Sequence, residues 1–356
     1  MAYTDIDKSS DYFEAKLYTG NGGTTNVTGL DFAPNWVWIK SRTSARVHVL
    51  VDTVRGVTKR LQTNENDGEA TNSNSLTAFN SDGFTLGSYN QSNEGSANFV
   101  SWNWKAGTSV SGNTGGSGTA KAYSGSVNTT SGISIIRYQG NGTNGHTIPH
   151  HLGVTPTVMM VKRLTGAAAN WSNYQSDFWV SGGNQYIDLN RSAAAAADSV
   201  MWYNTQPTSS VFTVGTNERT NYNNDYFINY LFTPIQGYSK FSSYVGNGNA
   251  DGTFVYTGFK PAWVMIKATN ASKDWKMIDN KRNPAGLGGA NPVRYRLAAN
   301  EANTTSDDGD GQDFTSQGFK FRTTDSHMNG NGTQYLYMAF AEEPFVTSTG
   351  VPATAR

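Results

Sequence analysis

Hydrophobic positions along this chain fall in short runs cut by glycine, asparagine and aspartate, and scarcely anywhere at the 3.6-residue spacing of a helix. Trp36-Val37-Trp38-Ile39, Val158-Met159-Met160-Val161 and Trp263-Val264-Met265-Ile266 are apolar throughout, the pattern of a short strand buried on both faces. Aromatic-rich runs follow later: Phe99 to Trp104, Tyr226 to Phe232 and Tyr335 to Phe340. Asn-Gly, Asp-Gly and Gly-Asn pairs stand between the runs, which is hairpin and turn chemistry. Only the alanine-rich stretch at 191–198 has a local helical look. The pattern predicts an all-β chain.

The runs recur in order. Tyr18-Thr19-Gly20-Asn21-Gly22 returns as Tyr138-Gln139-Gly140-Asn141-Gly142 and as Tyr244-Val245-Gly246-Asn247-Gly248. From each Tyr to a Pro (Pro34, Pro156, Pro261) is 16, 18 and 17 residues, and from that Pro to a Lys (Lys40, Lys162, Lys267) is 6 each time. Arg60-Leu61-Gln62-Thr63-Asn64-Glu65 matches Arg296-Leu297-Ala298-Ala299-Asn300-Glu301, with a degraded copy at Ile187-Asp188-Leu189-Asn190. Phe84, Phe212 and Phe319 lie in matching strands that precede the aromatic ones. Spacing held over this distance marks a true internal repeat. The middle copy is the divergent one: Thr157 is read in place of Trp36 and Trp263, and its Arg-Leu-x-x-Asn-Glu is eroded.

Three tandem β-sandwich units of jelly-roll or concanavalin-like type are therefore expected, at 1–105, 132–236 and 237–356. Residues 106–131, rich in Gly, Ser and Thr without apolar periodicity, read as a flexible linker. The boundary near Pro234 to Tyr238 is short, so the second and third units are expected to pack closely.

Composition narrows the function. Charged residues make up 15% of the 356, against about 25% in ordinary globular chains, and the formal net charge is zero, so nothing electrostatic points to nucleic acid or an anionic membrane. There is no cysteine, which removes disulfides, thiolate zinc sites and cysteine nucleophiles together. No signal peptide and no apolar run near the roughly 20 residues of a spanning helix are visible. The first unit starts soon after Asp11, which leaves little expected room for a dedicated anchoring domain.

Candidate chemistry is sparse. Trp36 with Trp38, and Trp102 with Trp104, stand two apart and share a strand face; as parts of the repeat framework they read as core rather than as a sugar-stacking platform. Off the framework, Trp171, Tyr174, Trp179, Trp202 and Tyr203 sit among Asn, Ser and Gln, a mixture suited to carbohydrate stacking and equally to half-buried packing. The acidic run at 306–313 offers Asp307, Asp308, Asp310 and Asp313 as hard oxygen ligands for Ca2+, the single cofactor the pattern suggests. It lacks the terminal Glu of a helix-loop-helix calcium site, and a solvated turn is its plainer reading. His146, His150 and His151 have no matching carboxylate nearby and read as a loop between strands. Asp52, Asp279, Glu65 and Glu301 are the carboxylates a glycosidase reading would need, but recurrence in several repeats is not how a catalytic pair is built. No enzyme is expected.

The segments Tyr12 to Gly22, Pro34 to Lys40, Asp52 to Leu61 and Phe79 to Gly87, with the close Ala339-Phe340-Ala341-Glu342-Glu343-Pro344-Phe345, resemble a repeat of structural proteins in tailed bacteriophages, marine phages and cyanophages above all. The resemblance covers nearly the whole chain apart from the glycine-rich stretch. It implies a virion protein of the tail or tail fibre, partnered by other virion proteins, self-associating as a homo-oligomer with a trimer favoured, and touching a host-surface glycan. A capsid decoration on the head and a free lectin-like protein are the alternatives it leaves open.

Overall fold

The computed structural model describes residues 3–178, 184–282, 291 and 293–352, and almost all regular structure in it is antiparallel strand. No helix among the described residues is long and apolar enough to cross a membrane.

Each repeat builds one large sheet. In the first the strand order is Phe13–Thr19, Asn98–Trp104, Trp36–Ser41, Val49–Asp52. The third repeats it as Ser239–Val245, Gln334–Pro344, Phe259–Ala268, Lys276–Asp279, and then continues through Val293–Ala298 and Ser306–Thr315 to Gly318–Phe321 and Phe254–Tyr256. The second has Ile133–Gln139, Tyr226–Phe232, Val158–Arg163, Ser172–Gln175 in the same order. Its sheet is widened by Ala122–Asn128 and Thr108–Asn113, which pair outside Ile133–Gln139. These two strands lie in the stretch expected to be a flexible linker. Glycine and serine mask them in the sequence because so few side chains alternate: Val110, Tyr123 and Val127 are the apolar contacts they make.

Period-2 geometry sends alternate side chains to opposite faces, and here both faces are buried. Val37 and Ile39, Met159 and Val161, and Val264 and Ile266 point into three separate cores, one inside each repeat. Their strand neighbours Trp36 and Trp38, Val158 and Met160, and Trp263 and Met265 all enter one further core common to the three. Trp36 stacks on Trp104 at 4.2 Å and on Tyr230 of the second repeat at 4.5 Å. Trp104 meets Trp263 at 5.8 Å, and Phe232 meets Phe340 at 5.8 Å. The framework tryptophans are thus core, as expected, but they fill the space between repeats. The repeats are packed back to back around a shared aromatic centre, to which the first contributes as well as the second and third.

Strand register also corrects one equivalence. Trp36 pairs with Trp104 and Trp263 with Phe340, while Val158 pairs with Phe232. Val158, not Thr157, holds the tryptophan position in the middle copy.

The Gly-Asn-Gly turn explains its own recurrence. A Cβ on Gly20, Gly140 or Gly246 would run into the carbonyl oxygen of Glu94, Tyr222 or Gly330, and Gly22, Gly142 and Gly248 have φ of +71°, +69° and +65°. The tyrosine before each turn is anchored alike: Tyr18, Tyr138 and Tyr244 donate through their hydroxyls to the carbonyls of Ser92, Thr220 and Met328.

Candidate functional site

The aromatics proposed for sugar stacking do not form a surface. Trp171, Tyr174 and Trp202 are buried. Trp171 lies in the shared core and donates from Nε1 to the Gln62 carbonyl of the first repeat. Tyr174 and Trp202 meet edge-on at 6.0 Å inside the second repeat. Their polar neighbours mislead because those groups satisfy one another: Asn190 donates to Asn170, which donates to Asp188. Tyr203, next to buried Trp202, is exposed, at a φ of +52°. Trp179 lies outside the described residues.

The acidic run is a strand, Ser306–Thr315, and not a turn. Asp307 is paired with Arg294 of the neighbouring strand at 2.9 Å and Asp313 with Arg322, just past the end of Gly318–Phe321, at 2.6 Å, so the countercharge comes from adjacent chain. The side chains of Asp308 and Asp310 lie outside what is described. Among the described residues, no group of three or more His, Asp or Glu is placed to hold a metal ion. His146 also lies in a strand, His146–Pro149, where Asn221 Oδ1 at 2.9 Å and Thr114 Oγ1 at 2.6 Å hold its ring.

The polar chemistry of this protein is concentrated where the repeats meet. Lys40, Lys162 and Lys267 are wholly buried. Lys40 donates to the Ala302 carbonyl of the third repeat at 3.1 Å, Lys162 to Asn66 of the first at 2.8 Å, and Lys267 to Ser192 of the second at 3.0 Å. Those carbonyls are equivalent, each two residues beyond the asparagine of the Arg-Leu-x-x-Asn turn. The contacts therefore run first to third, third to second and second to first, and close a ring.

Two more hydrogen bonds follow the same circuit. The asparagines of the turns, Asn64, Asn190 and Asn300, accept from the backbone of His48, Trp171 and Trp275. The side chains so positioned cross to the next repeat: His48 Nε2 reaches Ala298 O at 3.0 Å, Trp171 reaches Gln62 O at 2.8 Å, and Trp275 reaches Asp188 O at 2.9 Å. Backbone amides of Glu69, Ala195 and Thr305 donate to Leu164, Thr269 and Arg42. The structure is a pseudo-threefold ring made from one chain.

Electrostatics at the junctions follow from burial. Desolvation pushes Lys40 and Lys162 down to about 7 and Lys267 down to about 8; the Arg282 charge adds to the effect on Lys40, while Asp67 and Asp274 oppose it for the other two. Each amine has two carbonyl acceptors, Ser41 and Ala302 for Lys40, Asn66 and Ala169 for Lys162, and Ser192 and Ala268 for Lys267. Two acceptors match the two N–H groups of a neutral amine. Burial holds His48 well below its ordinary value; its Nδ1 accepts from Trp38 at 2.8 Å, which leaves Nε2–H to donate to Ala298.

Two junctions also contain a buried acid and base. Asp52 accepts from Arg55 at 2.5 Å and from the Tyr230 hydroxyl of the second repeat at 2.7 Å. Asp279 accepts from Arg282 at 2.5 Å and from Trp102 Nε1 of the first repeat at 3.1 Å. At the junction of second and third repeats the equivalent positions are Gln175 and Met338, and Gln175 donates instead to the Ser242 carbonyl at 2.9 Å. This junction opens into a groove of about 810 Å³ whose walls come from both repeats.

Sequence reading missed the buried asparagines Asn93, Asn221 and Asn329, which clamp the Gly-Asn-Gly turns by accepting from Asn21, Asn141 and Asn247. They stand six residues before Phe99, Phe227 and Tyr335 in every copy, a spacing that was there to be found. The Asp-x-x-Arg turns, twelve residues beyond Lys40 and Lys267, were equally visible.

What the fold defines is an all-β protein whose three internal repeats share one core and close a ring of equivalent junctions. A family description, Domain of unknown function (DUF7483), matches residues 8–344, and the chain belongs to that family. No curated protein and no solved structure gives a significant match.

Proposed function

We propose that this chain is a structural protein of a tailed-phage particle, a component of the tail or tail fibre that contributes to attachment at the host's surface glycan. The supporting observation is the ring itself. Three repeats locked by equivalent hydrogen bonds and a common aromatic core make a stiff, three-sided body whose buried polar groups are spent on holding the repeats together. Such a body suits display and assembly, and it agrees with the resemblance of the repeat to phage virion proteins. Other virion proteins are its proposed partners. One chain already supplies the three sides for which the sequence suggested a homotrimer.

Immunogold electron microscopy of purified virions, with an antibody against this chain, tests the reading. Gold confined to the tail or its fibres is the expected result. Gold spread over the head overturns it in favour of a capsid decoration, and particles that expose other antigens yet carry no gold leave a free lectin-like protein.

A further inference from the structure

The three junctions of the ring are equivalent in backbone, so a place where their side chains stop being equivalent marks something the ring itself does not require. The clearest is the groove between the second and third repeats. On the third repeat it is walled by Ser243, Asn270, Gln334 and the buried Leu336, and on the second by Asp177 and Gln185.

The corresponding side chains elsewhere are taken up by each other. Alignment on Tyr138 and Phe227 puts Arg137 and Tyr226 where the third repeat has Ser243 and Gln334, and the Arg137 guanidinium lies 3.9 Å from the Tyr226 ring centre. In the first repeat, Thr19 donates to Asn98, the counterpart of Gln334, at 2.9 Å. At the groove, the side-chain amides of Gln334 and Gln185 and the Ser243 hydroxyl have no hydrogen-bond partner among the described residues. Asp177 is engaged at the rim, where it accepts from Ser242 at 2.6 Å. Among the described residues the lining contains no lysine or arginine.

We propose that this groove binds a neutral, hydroxyl-rich ligand, a short oligosaccharide. Two free carboxamides each offer a paired donor and acceptor, which suits the vicinal hydroxyls of a sugar ring. Exposed Val245 and the paired alanines Ala194 and Ala195 offer apolar contact for its C–H face. A phosphate or carboxylate ligand would find no cation, and an apolar one would leave the amides unpaired. The volume is that of an ordinary small-molecule site. The inference rests on the attachment reading only for the biological source of the sugar.

The test is saturation-transfer NMR on the full chain with maltotriose, cellotriose, mannotriose and diacetylchitobiose as probes and sialyllactose as the anionic control. At least one neutral probe is expected to bind, with Gln185→Ala and Gln334→Ala each weakening it about tenfold at unchanged thermal unfolding. Binding that survives both substitutions, binding of sialyllactose alone, or binding of none of the probes overturns the inference. None of these outcomes bears on where gold falls on the virion, so the two readings fail separately.

Discussion

Two junctions of the ring contain a buried Asp and Arg and the third does not, although the backbone runs through all three alike. Asp52 with Arg55, and Asp279 with Arg282, are fully buried pairs that also receive a donor from the neighbouring repeat. Gln175 and Met338 do without a charge. The difference teaches that the ion pair is not what closes the ring. Desolvating two charges costs about as much as their attraction returns, so a repeat can lose the pair if both partners go together. The lysine and backbone contacts, present at every junction, are the shared part.

The largest effect expected is therefore asymmetric. Asp52→Ala removes the nearest countercharge of buried Arg55, leaving it Glu69 at 3.5 Å, and takes the acceptor from the buried Tyr230 hydroxyl; it should destabilise the chain by about 3–5 kcal/mol, whereas Gln175→Ala at the matching position should cost about 1 kcal/mol. Urea unfolding compares the two, and equal losses would break the comparison. Trp36→Ala, which empties part of the centre shared by all three repeats, should cost about 3–5 kcal/mol. It should shift a single cooperative transition; repeats that melt one by one would contradict a common core.

The junction lysines set a pH dependence. Their folded values lie near 7 to 8, below the ordinary 10.5, so the unfolded chain binds more protons between those limits and stability rises with pH across that window. Below about 7 the lysine contribution is lost. Above about 10 the buried tyrosines Tyr18, Tyr138, Tyr230 and Tyr244, raised by desolvation, reverse the trend, because the unfolded chain then releases protons that the folded one keeps. Chemical denaturation from pH 6.5 to 9.5 should show a positive slope that Lys162→Met reduces, whatever its effect on absolute stability.

Smaller effects concern the edges. Asn93→Ala and Asn221→Ala should each cost about 1–3 kcal/mol, and by similar amounts, since both clamp the same turn. Lys240 bonds the Tyr256 carbonyl from an edge strand that in the second repeat is covered by Ala122–Asn128. Lys240→Val should change stability by less than about 0.5 kcal/mol but increase association seen by light scattering, because edge lysines discourage strand pairing between molecules.

Much of this was legible in the chain. The strands around Lys40, Lys162 and Lys267 could be placed because an uninterrupted apolar run between turns has few other solutions, and the Gly-Asn-Gly turns because close approach and positive φ select glycine. The candidate site was not. Trp171 and Trp202 sit in polar sequence, but their neighbours bond to each other and leave the rings to the interior. The acidic run looked like a loop because the arginines that neutralise it, Arg294 and Arg322, come from elsewhere along the chain. The strands at 108–128 carried no pattern because glycine and serine take their burial from what lies against them.

Residue order alone specifies an all-β chain of three related repeats, with the same tyrosine, glycine and lysine positions in each. Local sterics and period-2 patterning act within a few residues, so they are written there. It takes long-range packing to bury both faces of each large sheet, to point the lysines across junctions to backbone carbonyls, and to close three repeats on one another. A buried lysine and an exposed one are the same letter, and which it is depends on a carbonyl far along the chain, brought close when the apolar faces have nowhere else to go.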